Sequence, residues 1–411
     1  MRVEVINTGT ELLLGQVLNT HLKYLGERLF ELELRVERQL CVPDGEAIRG
    51  AFEESFPRCE VVLATGGLGP TSDDLTREIV AELCGMPLDL DRAILGELEA
   101  FFATRGLSMS AENRRQAMVP RGARVLPNEL GTAPGLYLPA DAGRPHIFLL
   151  PGPPRELYPM FVAQVEPLLR EIVGVKEERV CRNYKLFGVG ESSVAERLEQ
   201  KLGTFDGLEH GYCARPAEVD LRCIASEAVQ IEIEALVREV YGEELISVDD
   251  ATLPEVVVGR LQEKRETLAV AESCTGGLVA HLITGVSGAS EVFIEGLVTY
   301  ANEAKTRHLG VSEAMLEEHG AVSAVVAQRM AEQCRERANA THALSVTGIA
   351  GPTGGTPEKP VGTVFIGLAS AGEAVVVRRL FRPTDRATFQ DVIARVALDM
   401  LRRRLGGFAV A

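Results

Sequence analysis

Along this chain, short runs of β-branched and aliphatic residues break off at turns rich in glycine, proline, serine or threonine and give way to helical spacing. Val3-Glu-Val-Ile6, Val61-Val-Leu-Ala64 and His146-Ile-Phe-Leu-Leu150 alternate in this way with helical patterns over 20–30 and 74–84. A strand that passes through a helix before the next strand forms returns parallel to it, so residues 2–169 predict an α/β unit with a largely parallel sheet. Ligands of such sheets sit beyond the carboxyl ends of the strands, which is where the distinctive turns fall.

The character changes over residues 171–248. Val180-Cys-Arg-Asn-Tyr-Lys-Leu-Phe187 and Ala217-Glu-Val-Asp-Leu-Arg-Cys-Ile224 alternate, with helical spacing between and after them. Strand-like runs resume at 267–271, 292–300, 343–347 and 363–368, with helical segments between. The expected fold class is α/β: two α/β units with largely parallel sheets, over 1–170 and 251–411, joined by a small α+β module over 171–250. With 411 residues the chain is too long for one ordinary core. Its 46% hydrophobic and 25% charged residues are those of a folded protein, and the absence of Trp argues against base-stacking surfaces. A formal net charge of −16 opposes non-specific binding to nucleic acid or anionic membrane. No basic leader with an apolar core and no long apolar run occurs, so a cytoplasmic location and no membrane partner are expected. The 8 cysteines are scattered without a C-x-x-C pair and read as reduced thiols, with Cys274 the one to watch because it directly follows Ser273.

In Leu268-Ala-Val-Ala-Glu-Ser-Cys-Thr-Gly-Gly277 an apolar run stops at Ser273 and two glycines open a helix. A hydroxyl on a strand-to-helix turn, beside the free N–H groups of a helix start, suits nucleophilic chemistry; it equally suits a simple N-cap. Val298-Thr-Tyr-Ala-Asn-Glu-Ala-Lys-Thr-Arg307 places Tyr300, Asn302 and Lys305 within about one turn of another helix start. Lys305 is either a solvated surface group or a base whose pKa is depressed by desolvation and by the helix's positive end. The glycine- and proline-rich stretch Ser345-Val-Thr-Gly-Ile-Ala-Gly-Pro-Thr-Gly-Gly-Thr356 follows a strand, and reads as a flexible connector or as a shaped phosphate-binding loop.

In the first unit, Thr65-Gly-Gly-Leu-Gly-Pro-Thr-Ser-Asp-Asp-Leu-Thr76 lies between a strand and a helix, the setting in which clustered glycines bring backbone N–H groups to a phosphate. Asp73 and Asp74 are either helix-start carboxylates or a pair suited to a divalent cation on a diphosphate. Thr8-Gly-Thr-Glu11, Asn128-Glu-Leu-Gly-Thr-Ala-Pro-Gly135 and Pro151-Gly-Pro-Pro-Arg-Glu156 add further tight turns, or are ordinary ones.

These first-unit segments, with Ala117-Met-Val-Pro120 and Gly122-Ala123, resemble in order the molybdopterin-binding-like (MoaB/MogA-like) domain of the competence/damage-inducible CinA proteins. The resemblance implies a nucleotide- or pterin-phosphate site and metal-dependent hydrolysis of ADP-ribose to AMP and ribose 5-phosphate. Gly66, Gly67, Gly69, Thr71, Gly131 and Thr132 would then bind phosphate, and Asp73, Asp74 and Glu11 would hold Mg²⁺, Mn²⁺ or Co²⁺. Val42-Pro-Asp-Gly45 departs from a Val-x-Asp-Asn-like turn in relatives.

Over about residues 253–405, the serine turn, Tyr300-Ala-Asn-Glu-x-Lys305 and Gly348-Ile-Ala-Gly-Pro352 resemble the C-terminal CinA domain, the nicotinamide mononucleotide deamidase domain of the PncC family. Thr353 stands where relatives often carry glycine. The implied reaction hydrolyses nicotinamide mononucleotide to nicotinic acid mononucleotide and ammonia, with no cofactor. Ser273 would attack, Lys305 would accept its proton and Tyr300 would orient the pair or relay the proton. No His occurs in these segments, which disfavours a Ser-His-Asp triad. Backbone around Cys274, Thr275 and Gly276 or Gly348, Ile349 and Ala350 would hold the oxyanion, while Gly351, Thr353 and Thr356 would hold the 5′-phosphate. Asn302 and Thr347 would contact ribose or amide. The middle module corresponds to a segment described as KH-like. Gly188-Val-Gly-Glu191 lacks basic flanks, which favours a spacer or a homodimer element over nucleic-acid binding. A bifunctional salvage hydrolase is the main expectation, and a non-enzymatic pterin- or nucleotide-binding protein in competence or damage response is the rival.

Overall fold

A computed structural model describes residues 1–141, 143–174, 179–381 and 385–410. The backbone divides into two compact units, Met1–Glu178 and Arg179–Ala411.

The first unit contains β1 (Arg2–Thr8), β2 (Arg35–Val42), β3 (Val61–Thr65), β4 (Leu88–Leu90), β5 (Met118–Pro120), β6 (Arg124–Leu126), β7 (Gly135–Leu138) and β8 (His146–Leu150). Its main sheet has the order β2-β1-β3-β8-β7-β6, and β4 and β5 form a separate ribbon. The first four strands of that order are parallel, whereas β7 and β6 add on antiparallel. The helix His21–Phe30 carries the chain from β1 to β2, and Ala47–Ser55 carries it from β2 to β3. Alternation along the strands builds a core on each face: Val62 and Ala64 pack with Phe52 and Ile79, while Val61 and Leu63 pack with Leu25, Leu29 and Phe161. From β1 the chain steps to one side for β2 and to the other for β3. That reversal opens a crevice at the carboxyl ends of β1 and β3.

The second unit begins with β9 (Arg179–Phe187), β10 (Glu209–Arg215), β11 (Glu218–Ser226) and β12 (Leu245–Ser247), an antiparallel sheet of order β10-β11-β9-β12. The helices Glu191–Leu202 and Glu227–Tyr241 cover it, and Val194, Leu198, Ile233 and Val237 meet Tyr184, Leu186, Val219 and Leu221 in its core.

A five-stranded sheet comes next, made of β13 (Leu268–Glu272), β14 (Phe293–Val298), β15 (His342–Gly348), β16 (Thr363–Ser370) and β17 (Glu373–Leu380), in the order β14-β13-β15-β16-β17. β14, β13 and β15 are parallel. β16 and β17 are antiparallel because no crossover helix separates β15 from β16 or β16 from β17. Leu268 and Val270 feed one core and Ala269 and Ala271 the other. Here too the chain leaves β13 in opposite directions, to β14 and then to β15, which sets a switch point at the end of β13.

Residues 179–411 pack as one body, so the segment expected as a separate module is joined to the five-stranded domain by a shared core. Phe187 and Ile246 enter that core. Arg402, fully buried on the last helix Arg386–Leu405, donates to the carbonyls of Leu245 at 2.9 Å and Glu243 at 2.6 Å and to Asp399 Oδ1 at 2.7 Å. Arg395 reaches Glu218 Oε1 at 3.0 Å. Among the described residues no helix is long and apolar enough to cross a membrane.

Candidate functional site

Both sequence-predicted sites fall at these switch points. In the second unit, β13 is buried along its whole length, and the chain turns at Ser273, whose N–H donates to the Val346 carbonyl at 3.0 Å. Lys305 comes from the first turns of the helix Asn302–Leu309 and is only 1% exposed. Its Nζ lies 3.2 Å from Ser273 Oγ and donates to the carbonyls of Thr299 at 2.8 Å and Tyr300 at 3.1 Å. Burial pushes the ammonium pKa below the ordinary lysine range. A neutral amine keeps two N–H donors, enough for the two carbonyls, and leaves its lone pair for the Ser273 hydroxyl. Ser273 is not the cap of the helix that follows, a place taken by Gly277, and Lys305 is not a surface group.

Cys274 is buried, and burial pushes its thiol up to about 12, so it is no rival nucleophile. Glu272, which sequence reasoning passed over, is 1% exposed and turns its carboxylate onto the N–H groups of Gly277 (3.0 Å), Val279 (3.1 Å) and Ala280 (2.8 Å). The N–H of Gly276 is taken by the Ser273 carbonyl, and that of Ile349 by the Thr363 carbonyl. These two expected oxyanion donors are thus occupied. Among the described residues, those of Cys274, Thr275 and Ala350 have no acceptor.

Tyr300 differs from expectation in the atom that matters. Its carbonyl meets Lys305, but its 60% exposed side chain points its hydroxyl at Arg386, whose Nη2 donates to it at 2.8 Å. The other end of that guanidinium donates from Nη1 to the Gly351 carbonyl at 3.0 Å. Gln390, one turn further along the same helix, donates to the Cys274 carbonyl at 2.8 Å. Neither Arg386 nor Gln390 belongs to a sequence motif; a helix 116 residues away supplies the Cys274 contact.

Thr347 donates its hydroxyl to the Ala321 carbonyl at 2.8 Å, which ties down the neighbouring loop. Asn302 is exposed at the helix start. Gly348 ends β15, and Ile349 and Ala350 lead into the glycine loop. That loop has a fixed shape: Thr356 N–H donates to the Lys359 carbonyl at 2.9 Å, Lys359 N–H returns to Thr356 Oγ1 at 3.1 Å, and a Cβ at Gly351 would stand 2.6 Å from Val361 Cγ1. Thr353 and Thr356 are exposed on it.

In the first unit a cleft of about 520 Å³ opens at the ends of β1, β3 and β8. Glu11, Gly66, Gly67, Gly69, Thr71, Asp73, Asp74 and Thr132 all line it. Gly66 and Gly67 hold φ of +96° and +65°, and a Cβ on Gly67 would fall 2.0 Å from Thr76 Oγ1. Beneath the loop, Arg77 donates to the Leu68 carbonyl at 3.0 Å, and Arg115 to the carbonyls of Thr71 at 2.8 Å and Asp74 at 3.2 Å. With its carbonyls drawn back, the loop sends adjoining N–H groups the other way. Among the described residues those of Gly67, Leu68 and Gly69 have no acceptor.

Gly131 stands apart from this set: it does not line the cleft, and its N–H is taken by Asn128 Oδ1 at 3.0 Å. Asp74 accepts from the N–H of Thr71 at 2.9 Å and from its hydroxyl, so it closes the loop. Asp73 and Glu11 are exposed in the cleft. Among the described residues no three His, Cys, Asp or Glu side chains gather as a metal cage. The hard carboxylate oxygens fit a cation that draws its remaining ligands from phosphate and water, as magnesium does. Sequence reasoning missed His21, a buried cleft residue with Nδ1 3.2 Å from Thr65 Oγ1 and a pKa lowered by burial.

Comparison with known proteins gives three consecutive matches: a probable molybdopterin binding domain over residues 4–171, the damage-inducible protein CinA KH domain over 181–244 and the CinA C-terminal domain over 250–405. The chain is 46% identical to a CinA-like protein of Akkermansia muciniphila, over 97% of this chain and 96% of the relative. It is 44% identical to a CinA-like protein of Citrifermentans bemidjiense, over 98% of each. A crystal structure of the competence/damage inducible protein CihA from Agrobacterium tumefaciens is 37% identical over 38% of this chain and 93% of that one, with a TM-score of 0.37.

Proposed function

The chain belongs to the CinA family, and from that premise we propose that its second unit is an amidohydrolase converting nicotinamide mononucleotide to nicotinic acid mononucleotide and ammonia. The observation that carries the reading is the 3.2 Å contact of a desolvated lysine amine with the Ser273 hydroxyl at a strand end. Amide hydrolysis needs a nucleophile, a proton acceptor that later serves the leaving amine, and an oxyanion site. Ser273 Oγ attacks the carboxamide carbon as its proton passes to Lys305 Nζ. The tetrahedral oxygen is held by N–H groups of the serine turn, Lys305 returns the proton to the departing ammonia, and an acyl ester remains on Ser273. Water then attacks the ester, again giving a proton to Lys305, which passes it to Ser273 Oγ as the acyl–oxygen bond breaks; the product's carboxyl proton is released to solvent. Arg386 and the loop from Gly351 to Thr356 supply positive charge and backbone donors for the 5′-phosphate.

The test is ammonia release from nicotinamide mononucleotide. Ser273→Ala should lower kcat by about two to four orders of magnitude without loss of folding. Retention of most activity would replace covalent attack by direct attack of water, and a wild-type protein that releases no ammonia would end the amidase reading.

For the first unit we propose hydrolysis of ADP-ribose to AMP and ribose 5-phosphate, supported by the glycine loop and carboxylates that share one cleft. The N–H groups of Gly67 to Gly69 face the diphosphate, and Glu11 and Asp73 would hold a divalent cation, which supplies charge neutralisation when bound. AMP release in Mg²⁺, Mn²⁺ or Co²⁺ tests this. Tight nucleotide binding without product from either substrate would favour a non-enzymatic binding protein.

A further inference from the structure

We propose that Glu272, together with Gln390, is a positioning element for the amidase: the two fix the serine turn so that the N–H groups of Cys274 and Thr275 hold the oxyanion. This rests on the amidase reading above. The turn needs outside help because Gly277, the cap of the helix Leu278–Thr284, has φ of +101° and no side chain to satisfy the helix start. Glu272 does that work from the preceding strand, binding the N–H groups 5, 7 and 8 residues ahead of it. The turn is thereby closed into a ring with Ser273 inside.

Ser273 N–H goes to Val346, Gly276 N–H to the Ser273 carbonyl, Leu278 N–H to Thr275 and His281 N–H to Gly277. Between Ser273 and His281 only Cys274 and Thr275 keep an N–H without an acceptor among the described residues. Their directions are set by the planar peptide, in which carbonyl and N–H point oppositely. The Ser273 carbonyl is turned to Gly276, and the Cys274 carbonyl to Gln390 Nε2 at 2.8 Å. Each bond aims the N–H of the following residue to the other side. A carboxylate at the helix start also cancels the positive end of the helix dipole, so within the turn the transition-state charge is met by this N–H pair and by Lys305.

Glu272→Gln keeps the shape of the side chain but replaces one acceptor oxygen by a donor, so at least one of the three N–H groups loses its partner. Relative to wild type it should lower kcat for ammonia release by about 10²-fold, while KM stays within about threefold and the pH at which activity rises does not move. A merely structural cap would lower the melting temperature and leave kcat within threefold of wild type, and that result overturns the proposal. If Glu272→Gln fails to fold, Gln390→Ala decides: a kcat reduced about tenfold at unchanged KM supports it, and a kcat within twofold of wild type overturns it. Wild-type protein without ammonia release refutes the amidase reading itself, a result read before any variant is compared.

Discussion

A lysine at 1% exposure whose partners are two carbonyls and a hydroxyl is poorly placed to stay charged, and that is what makes Lys305 useful. Its pKa is lowered by burial, which outweighs opposing contributions from Cys274 and Glu303. The consequence is two pH effects of the same sign. The reaction needs the neutral amine, so kcat/KM should climb as pH rises through the lowered pKa and level off below the ordinary lysine range. In that window the unfolded chain binds more protons than the folded one, so the folded state gains stability as pH rises. Lys305→Met should cost about two to four orders of magnitude in ammonia release. Thermal unfolding from pH 6 to 10 should show the wild type gaining relative to that variant; a constant difference would mean that Lys305 titrates normally. Ser273 and Lys305 were legible in the sequence because one directly follows a strand and the other sits in the first turn of a helix that follows one. Glu272 was not, because its role depends on the side chain folding forward over a turn, and Tyr300 was legible as a residue but not as a carbonyl. Arg386 and Gln390 carry no local signal, since only the packing of the last helix brings them to Tyr300 and Cys274.

At the scale of elements, both units rely on a strand that ends in a turn where side chains have little room. Gly67 shows the constraint most sharply, with φ of +65° and Thr76 Oγ1 2.0 Å from where a Cβ would stand. Gly67→Ala should destabilise the first unit by about 1–3 kcal/mol, combining a left-handed backbone with a clash. AMP release from ADP-ribose should disappear with it while ammonia release continues. Calorimetry with both assays checks this, and loss of both activities would count against a local effect. β2, with its charged Arg35, Glu37 and Arg38, was not singled out, whereas the parallel strands β1, β3, β8, β13, β14 and β15 were readable as apolar runs flowing into turns. The antiparallel additions were not: β6 and β7 are only 3 and 4 residues long, and the direction of β16 and β17 depends on the missing crossover helix.

At the scale of the whole molecule, the change in pattern near residue 171 marked a distinct segment but not how it is held. Arg402 lies in an Arg402-Arg-Arg404 run that reads as a solvated helix end, yet it is fully buried. The KH-like segment presents main-chain carbonyls at Glu243, in the turn before β12, and at Leu245, and a planar guanidinium with five donors can satisfy both while pairing with Asp399. Asp399 is also held by Arg403, whose Nε donates to it at 2.8 Å. Removing only the buried cation leaves two carbonyls without their donor and Asp399 with Arg403 as its one remaining cation, so Arg402→Ala should cost about 3–5 kcal/mol. Replacing Arg402 by Met and Asp399 by Leu together removes the two buried charges as a pair while Arg403 keeps Glu243 at 3.4 Å, and should cost less than the single change. Urea unfolding of the two variants separates the cases. If the double variant is as unstable as Arg402→Ala, the lost hydrogen bonds to the KH-like segment dominate. If it recovers most of the stability, the cost lies in the buried carboxylate left without Arg402, and apolar packing through Phe187 and Ile246 is enough to hold the segment in place.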